Sequence, residues 1–183
     1  MTNKYLFTLL ISVASTFCYA QNIVIGSHNP HIRYSGRIIM QDDAAELSWP
    51  ATSVKINFKG TGVKATLKDD GGNDYWNVIV DDKVISVIKP DSIKKEYVLV
   101  SGLPDANHSL ELFKRTEWAM GKTWLYQFAL DRNSTALPPP PAQKRKIEFF
   151  GNSITCGYAV EDTTGQDRGT PIHENGYLSY AAI

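Results

Sequence analysis

The feature that most limits the fold is a train of short runs alternating apolar and polar residues, spread over residues 21–137 and separated by turn residues. Val54-Lys55-Ile56-Asn57-Phe58-Lys59 and Val63-Lys64-Ala65-Thr66-Leu67-Lys68 are the clearest. Successive side chains of a strand point to opposite faces, so each run has one apolar face to bury and one to leave wet. Gly60-Thr61-Gly62 between them reads as a hairpin loop. Arg37 to Met40 and Ala45 to Trp49 come before; Trp76 to Val80, Lys83 to Ile88, Glu96 to Val100, Ser109 to Lys114 and Trp124 to Leu130 follow. No helical period is present. Strands this short, at this spacing, predict a mainly β fold: two sheets packed face to face in a jelly-roll sandwich.

The chain has 183 residues, enough for one whole domain and part of another. Its formal net charge is zero, which argues against a nucleic-acid partner, since phosphates call for a basic surface. Residues 1–20 read as a leader: Lys4 gives a positive start and Tyr5 to Val13 an apolar run too short to span a membrane. Cys18-Tyr19-Ala20 ends on a small residue, so cleavage before Gln21 and a secreted or periplasmic product are expected. A lipoprotein signal that keeps Cys18 is the competing reading, disfavoured by the bulky Phe17. Once the leader is removed, Cys156 is the only cysteine, and no intramolecular disulfide is available.

Pro138-Pro139-Pro140-Pro141 cannot continue a central strand, because proline lacks the N–H. It reads as a stiff linker over 138–143, dividing the sandwich from a second unit over 144–183. In that unit Ile147, Phe149 and Phe150 predict a strand, and Gly151 and Asn152 support a sharp turn. Ser153 then opens a predicted helix that runs to Val160. A serine so placed exposes its hydroxyl at the rim of a sheet, with its own N–H and the helix end directed at a developing oxyanion. This is nucleophile-elbow geometry, although the G-x-S-x-G spelling is absent. An ordinary N-cap serine is the plainer alternative. Residues 161–171 read as a loop and Asn175 to Ile183 as the start of a second helix. One strand and parts of two helices cannot close a doubly wound sheet, so the chain reads as a fragment or the product of a truncated gene.

Gly151-Asn152-Ser153-Ile154-Thr155 resembles the first block of the SGNH, or GDSL, hydrolases. Lys114-Arg115-Thr116-Glu117, Arg145 to Phe149, Ile154 to Tyr158 and Glu174 to Leu178 extend the likeness to carbohydrate esterase family 2. The resemblance implies a jelly-roll sandwich ahead of a flavodoxin-like α/β hydrolase domain. It implies a secreted serine esterase that removes acetyl groups from plant polysaccharides such as xylan or mannan. Ser153 would be the nucleophile and, through its N–H, an oxyanion donor. Further donors and the base, a histidine, come later in that family, so the 183 residues alone are expected to be inactive or nearly so. No cofactor or metal is implied. Asn152 stands where the block usually has aspartate, which keeps a turn-stabilising acceptor but loses its charge. His173 is set aside as a base because the family's histidine lies much further on. Cys156, one turn after Ser153, reads as a packing residue.

A different class of function stays open, a non-catalytic glycan-binding sandwich with a vestigial tail. Trp49, Tyr75, Trp76, Trp118 and Trp124 are the candidate sugar-stacking residues, although tryptophan more often packs. Trp118 stands out as a substrate-binding candidate, in a polar stretch from Arg115 to Lys122 that suits a solvent-facing loop. His28, His31 and His108 lack metal-ligand spacing. Asp69-Asp70-Gly71-Gly72-Asn73-Asp74 lacks the distal glutamate of a calcium loop and reads as a solvated turn.

Overall fold

The computed structural model describes residues 22–142 and 144–182; the expected leader lies outside them. Twelve strands form two antiparallel six-stranded sheets. They are β1 (Ile23–Gly26), β2 (Arg33–Ser35), β3 (Ile38–Met40), β4 (Ala45–Leu47), β5 (Ser53–Gly60), β6 (Val63–Asp69), β7 (Trp76–Val80), β8 (Lys83–Ile88), β9 (Lys95–Val100), β10 (Ala106–Lys114), β11 (Thr123–Leu130) and β12 (Thr135–Leu137). One sheet runs β3-β4-β11-β6-β9 and the other β12-β5-β10-β7-β8. Each is built on one long strand, flanked on one side by two short strands laid end to end. In the first sheet β4 pairs with Thr123 to Leu125 of β11, and β1 with Gln127 to Leu130. In the second, β2 pairs with Ser53 to Lys55 of β5, and β12 with Asn57 to Lys59.

The alternation in the sequence is obeyed by burial. Val54, Ile56 and Phe58 of β5 face inward, as do Val63, Ala65 and Leu67 of β6. Leu110, Leu112, Leu125, Phe128 and Leu130 meet them, and the indole of Trp76 is wholly enclosed. Its Nε1 donates to Thr123 Oγ1 at 3.0 Å, so the indole's polar atom is satisfied inside the core.

Two local expectations change. Gly60-Thr61-Gly62 is not a hairpin, because β5 and β6 belong to different sheets. Both runs have the same period, and period alone does not choose a strand's neighbour. The link instead passes the chain from one sheet to the other. Gly60 is needed there: its φ is +151° and a Cβ would lie 2.0 Å from Ser134 Oγ. A true hairpin does join β7 and β8, with Asp81 and Asp82 both at positive φ, 49° and 62°.

The second change concerns residues 144–182. Lys146 to Phe150 takes no regular secondary structure and pairs with no strand, and Ile147 and Phe150 are 77% and 82% exposed. A strand exists only through ladder bonds to a neighbour, and none is present among the described residues. Ile154 to Val160 forms successive turns rather than a helix, since Gly157 (φ 75°) and Ala159 (φ 52°) leave the right-handed region. The second predicted helix is reduced to single 3-10 turns at Gly176–Leu178 and Tyr180–Ala182. The proline run lies against the sandwich: Arg33 Nε donates to Pro140 O at 3.2 Å and Asn57 Nδ2 to Pro138 O at 3.0 Å.

Because the core depends on the inward face of β5, Phe58→Ala is expected to cost about 3–5 kcal/mol in urea unfolding. Lys59→Ala, on the opposite face, is expected to stay within about 0.5 kcal/mol of wild type.

Candidate functional site

Strand β10 delivers two cations to the rim of the sandwich. Lys114 continues the inward parity of Leu110 and Leu112, so its side chain enters the protein. Arg115 is next in line and points the other way. Both are buried.

Lys114 Nζ donates to Asp74 Oδ1 at 2.6 Å and to Thr116 O at 3.0 Å. Asp69, which continues the inward parity of Val63, Ala65 and Leu67, stands beside this pair. Thr123 Oγ1 lies 3.0 Å from both Asp69 Oδ2 and Asp74 Oδ2. Asp69 Oδ1 accepts from Gly71 N at 3.0 Å and also from Gly72 N. The expected solvated turn is therefore wrong at its two ends, where both aspartates are fully buried. Burial, followed by the neighbouring Asp74 carboxylate, pushes the Asp69 carboxyl up to about 6. A proton held there leaves one ammonium facing one carboxylate, a neutral cluster. Burial likewise draws Lys114 down, against the pull of Asp74.

Arg115 faces the second unit. Nη1 donates to Asn77 Oδ1 (3.3 Å), Nη2 to Ile172 O (2.8 Å) and Nε to Glu174 O (3.3 Å). Nη2 also forms an ion pair with Glu161. The backbone repeats the attachment, with Gly176 N donating to Arg115 O at 2.9 Å. Glu117 N donates to Glu174 Oε1 at 2.8 Å, and Phe113 meets Tyr177 edge-on at 5.1 Å. Arg115 and Thr116 thus leave the solvent-facing loop expected of them.

The Ser153 turn hangs from this anchor. Asn175 N donates to Gly157 O at 3.0 Å, tying the turns after Ser153 to the segment that Arg115 holds. Gly157 has no room for a side chain: a Cβ would lie 2.3 Å from Asn175 O. Asn152 Oδ1 accepts from Ile154 N at 3.1 Å, an Asx-turn, and Asn152 O accepts from Thr155 N at 2.9 Å. Gly151 is also obligatory, since a Cβ there would meet Thr155 Oγ1 at 1.9 Å. Ser153 is left exposed at the turn. Its carbonyl accepts from Tyr158 N at 3.0 Å, while its hydroxyl makes no hydrogen bond among the described residues.

Cys156 is buried, with Sγ 3.1 Å from Ser153 O, and burial pushes its thiol up to about 12. It packs and is no nucleophile at neutral pH. Burial also raises Glu174, whose second oxygen has no partner among the described residues. His173 Nδ1 lies 3.0 Å from Asp167 Oδ2 and is engaged within its own loop. Backbone N–H donation, chiefly from Thr170, holds Asp167 well below the usual carboxylate range. His108 pairs with Asp81, and no group of three or more metal-ligating side chains is assembled among the described residues. Of the tryptophans, Trp76 is core, whereas Trp118 is 60% exposed on a 3-10 turn, Trp118–Met120. Trp49 lies beside it, 45% exposed, with ring centroids 6.4 Å apart.

Residues 34–140 match the family described as Carbohydrate esterase 2 N-terminal. Among curated relatives, Cellulase/esterase CelE of Acetivibrio thermocellus is 38% identical over 156 residues, covering 85% of this chain and 19% of that protein. An acetylxylan esterase / glucomannan deacetylase of Cellvibrio japonicus is 30% identical over 177 residues, covering 91% of this chain and 49% of that protein. The chain therefore spans half or less of the length of these relatives. A family two carbohydrate esterase from Clostridium thermocellum, solved with cellohexaose, superposes with a TM-score of 0.79 at 37% identity over 83% of this chain and 46% of that one. One from Cellvibrio japonicus gives 0.80 at 29% identity over 87% and 47%.

Two expectations follow from the two buried cations. Arg115→Met removes the anchor, so amide exchange at Asn175 and Gly176 should accelerate roughly tenfold or more, a local cost of about 1–3 kcal/mol, while core amides of β5 stay slow. The carboxyl of Asp69 is raised on folding, so its contribution is present below the unfolded value near 3.8 and lost as pH rises through about 6. Between those values the native state holds the extra proton. Denaturation from pH 4 to 7 should show wild-type stability falling with pH relative to Asp69→Asn.

Proposed function

The chain belongs to carbohydrate esterase family 2, and on that premise we propose that the protein carrying it removes acetyl groups from plant polysaccharides such as xylan or mannan, with Ser153 as nucleophile. The observation that carries this reading is the exposed Ser153 on an Asx-turn fixed to the sandwich through Gly157, Asn175 and Arg115. A nucleophile has to be open to a polymeric substrate and yet held still, and this turn meets both needs.

In the reaction, Ser153 Oγ attacks the acetyl carbon as its proton passes to a base. The carbonyl oxygen takes up the negative charge, which the Ser153 N–H receives together with other donors. The bond from the acetyl carbon to the sugar oxygen then breaks, and that oxygen takes the proton. Water, deprotonated by the same base, attacks the acyl-serine and releases acetate and free Ser153. The hydroxyl of Ser153 has no hydrogen-bonding side chain among the described residues, which supports a base drawn from elsewhere in the protein. The leader pattern of residues 1–20 supports an extracytoplasmic site of action, where such substrates are met.

Ser153→Ala in the protein at its full natural length should lower kcat/KM for acetylated xylan and for 4-nitrophenyl acetate by about 10³-fold or more, with its circular dichroism unchanged. Undiminished hydrolysis would remove Ser153 as the nucleophile. In the same assay, the 183-residue chain alone is expected to be nearly silent.

A further inference from the structure

We infer that Trp118 and Trp49, with Arg37 beside them, form a platform on which an extended polysaccharide chain lies as it runs toward Ser153. The inference rests on the esterase reading for its direction but not for the platform itself.

The two exposed rings stand 6.4 Å apart and are inclined by 42°, so they offer adjoining faces rather than a closed stack. The line then continues. The guanidinium of Arg37 lies 5.8 Å from the centre of the Trp49 ring and 6.0 Å from that of Phe150. Arg37 also bridges to Glu148 at 2.6 Å, which fixes the approach to Gly151-Asn152-Ser153. Trp118, Trp49 and Arg37 thus make an exposed track at the sandwich rim, and Arg37 ends it against Phe150, in the segment leading into the Ser153 turn.

The chemistry along the track fits sugar better than a protein partner. The core of a protein interface is depleted of lysine and aspartate. Here a groove beside Trp118 is lined by Asp70, Asn73 and Lys122. Asp70 spends one oxygen on Lys122 N, 2.8 Å away, leaving Oδ2 free among the described residues. The Asn73 amide is exposed and makes no hydrogen bond there. A flat ring beside open acceptors and an amide matches a pyranose, which has an apolar C–H face and a rim of hydroxyls.

The backbone that carries the rings is also tied down before any ligand arrives. Trp118 follows Glu117, whose N–H is fixed by the buried Glu174. Met120 N donates to Glu117 O at 3.2 Å, and Gly121 turns the chain at φ 152° against the Asp69 and Asp70 carboxylates. Trp49 O accepts from Thr52 N at 3.3 Å. A preorganised backbone loses little freedom on binding.

The test uses the protein at full natural length carrying Ser153→Ala, titrated calorimetrically with xylohexaose and mannohexaose. Trp118→Ala and Trp49→Ala should each weaken binding of at least one hexaose by about fivefold or more. The loss should be smaller for the matching disaccharide, and Trp118→Phe should recover most of the affinity. With Ser153 restored, the alanine variants should raise KM for the acetylated polymer more than they lower kcat. Unchanged affinity for both hexaoses in both alanine variants would overturn the proposal. So would a wild-type dimer dissociated by these changes, which would make the track a contact between copies. If the Trp variants weaken binding but Ser153→Ala leaves hydrolysis intact, the platform stands and only the nucleophile falls.

Discussion

The structure turns on the parity of β10. A strand sends neighbouring side chains to opposite faces, so Lys114 and Arg115 must diverge. Lys114 closes the rim of the sandwich by meeting Asp74 beside the carboxyl of Asp69. Arg115 reaches out of it and gathers Glu161, Ile172 O and Glu174 O. Shifting the register by one residue would put the guanidinium into the aspartate cluster and the ammonium at the junction. The ammonium is a compact point charge and lacks the planar fork that here spans Asn77 on one side and the second unit on the other. The pairing Leu110↔Ile56 and Leu112↔Val54 is what prevents that slip, because the slip would also turn the core face of β10 to water. Apolar packing thus decides where both charges go.

Burying charge is rarely the stabilising option in itself, since desolvation can exceed the attraction gained. What the aspartate–lysine cluster supplies is connection. It joins the loop from Asp69 to Asp74 with the loop from Thr116 to Thr123, each of which crosses from one sheet to the other. Asp70 adds a direct tie, accepting from Lys122 N at 2.8 Å. Lys114 Nζ also donates to Glu117 O at 3.3 Å, reaching the residue before Trp118. An apolar cluster of the same size would fill this space without fixing the loops' backbone, and the ring of Trp118 would lose its fixed bearing.

Much of the sandwich was legible in the sequence because period two is a strong signal, and strands from Val54 to Leu130 fall close to where the alternation puts them. The polar cluster was legible too, had the parity been followed further. Asp69 is the next inward position after Val63, Ala65 and Leu67, and Lys114 the next after Leu110 and Leu112. Turn composition points the other way, since a run of Asp, Gly and Asn has the makeup of a wet loop. Strand partners were not legible at Gly60-Thr61-Gly62, for period fixes a face and not a neighbour. Beyond the linker, the apolar run at Ile147 to Phe150 has β propensity, but propensity needs a ladder to act on. The contacts of Arg115 with Glu161 and Glu174 span 46 and 59 residues, and no local pattern announces them.

Asn152 shows how small a change the Ser153 turn tolerates. The turn needs an acceptor two residues before Ile154 N, and either asparagine or aspartate supplies one. They differ in charge. A carboxylate next to Ser153 would oppose negative charge developing on an acyl oxygen, unless further donors outweighed it. The amide holds the same hydrogen bond, 3.1 Å long, without that opposition. In exchange it gives up whatever a charge would contribute to ordering the neighbouring N–H groups. The fit of Gly151 against Thr155 and of Gly157 against Asn175 O makes up for this by steric means. Geometry at this turn is therefore held by packing and by neutral hydrogen bonds, and its electrostatics are left to the groups that meet the substrate.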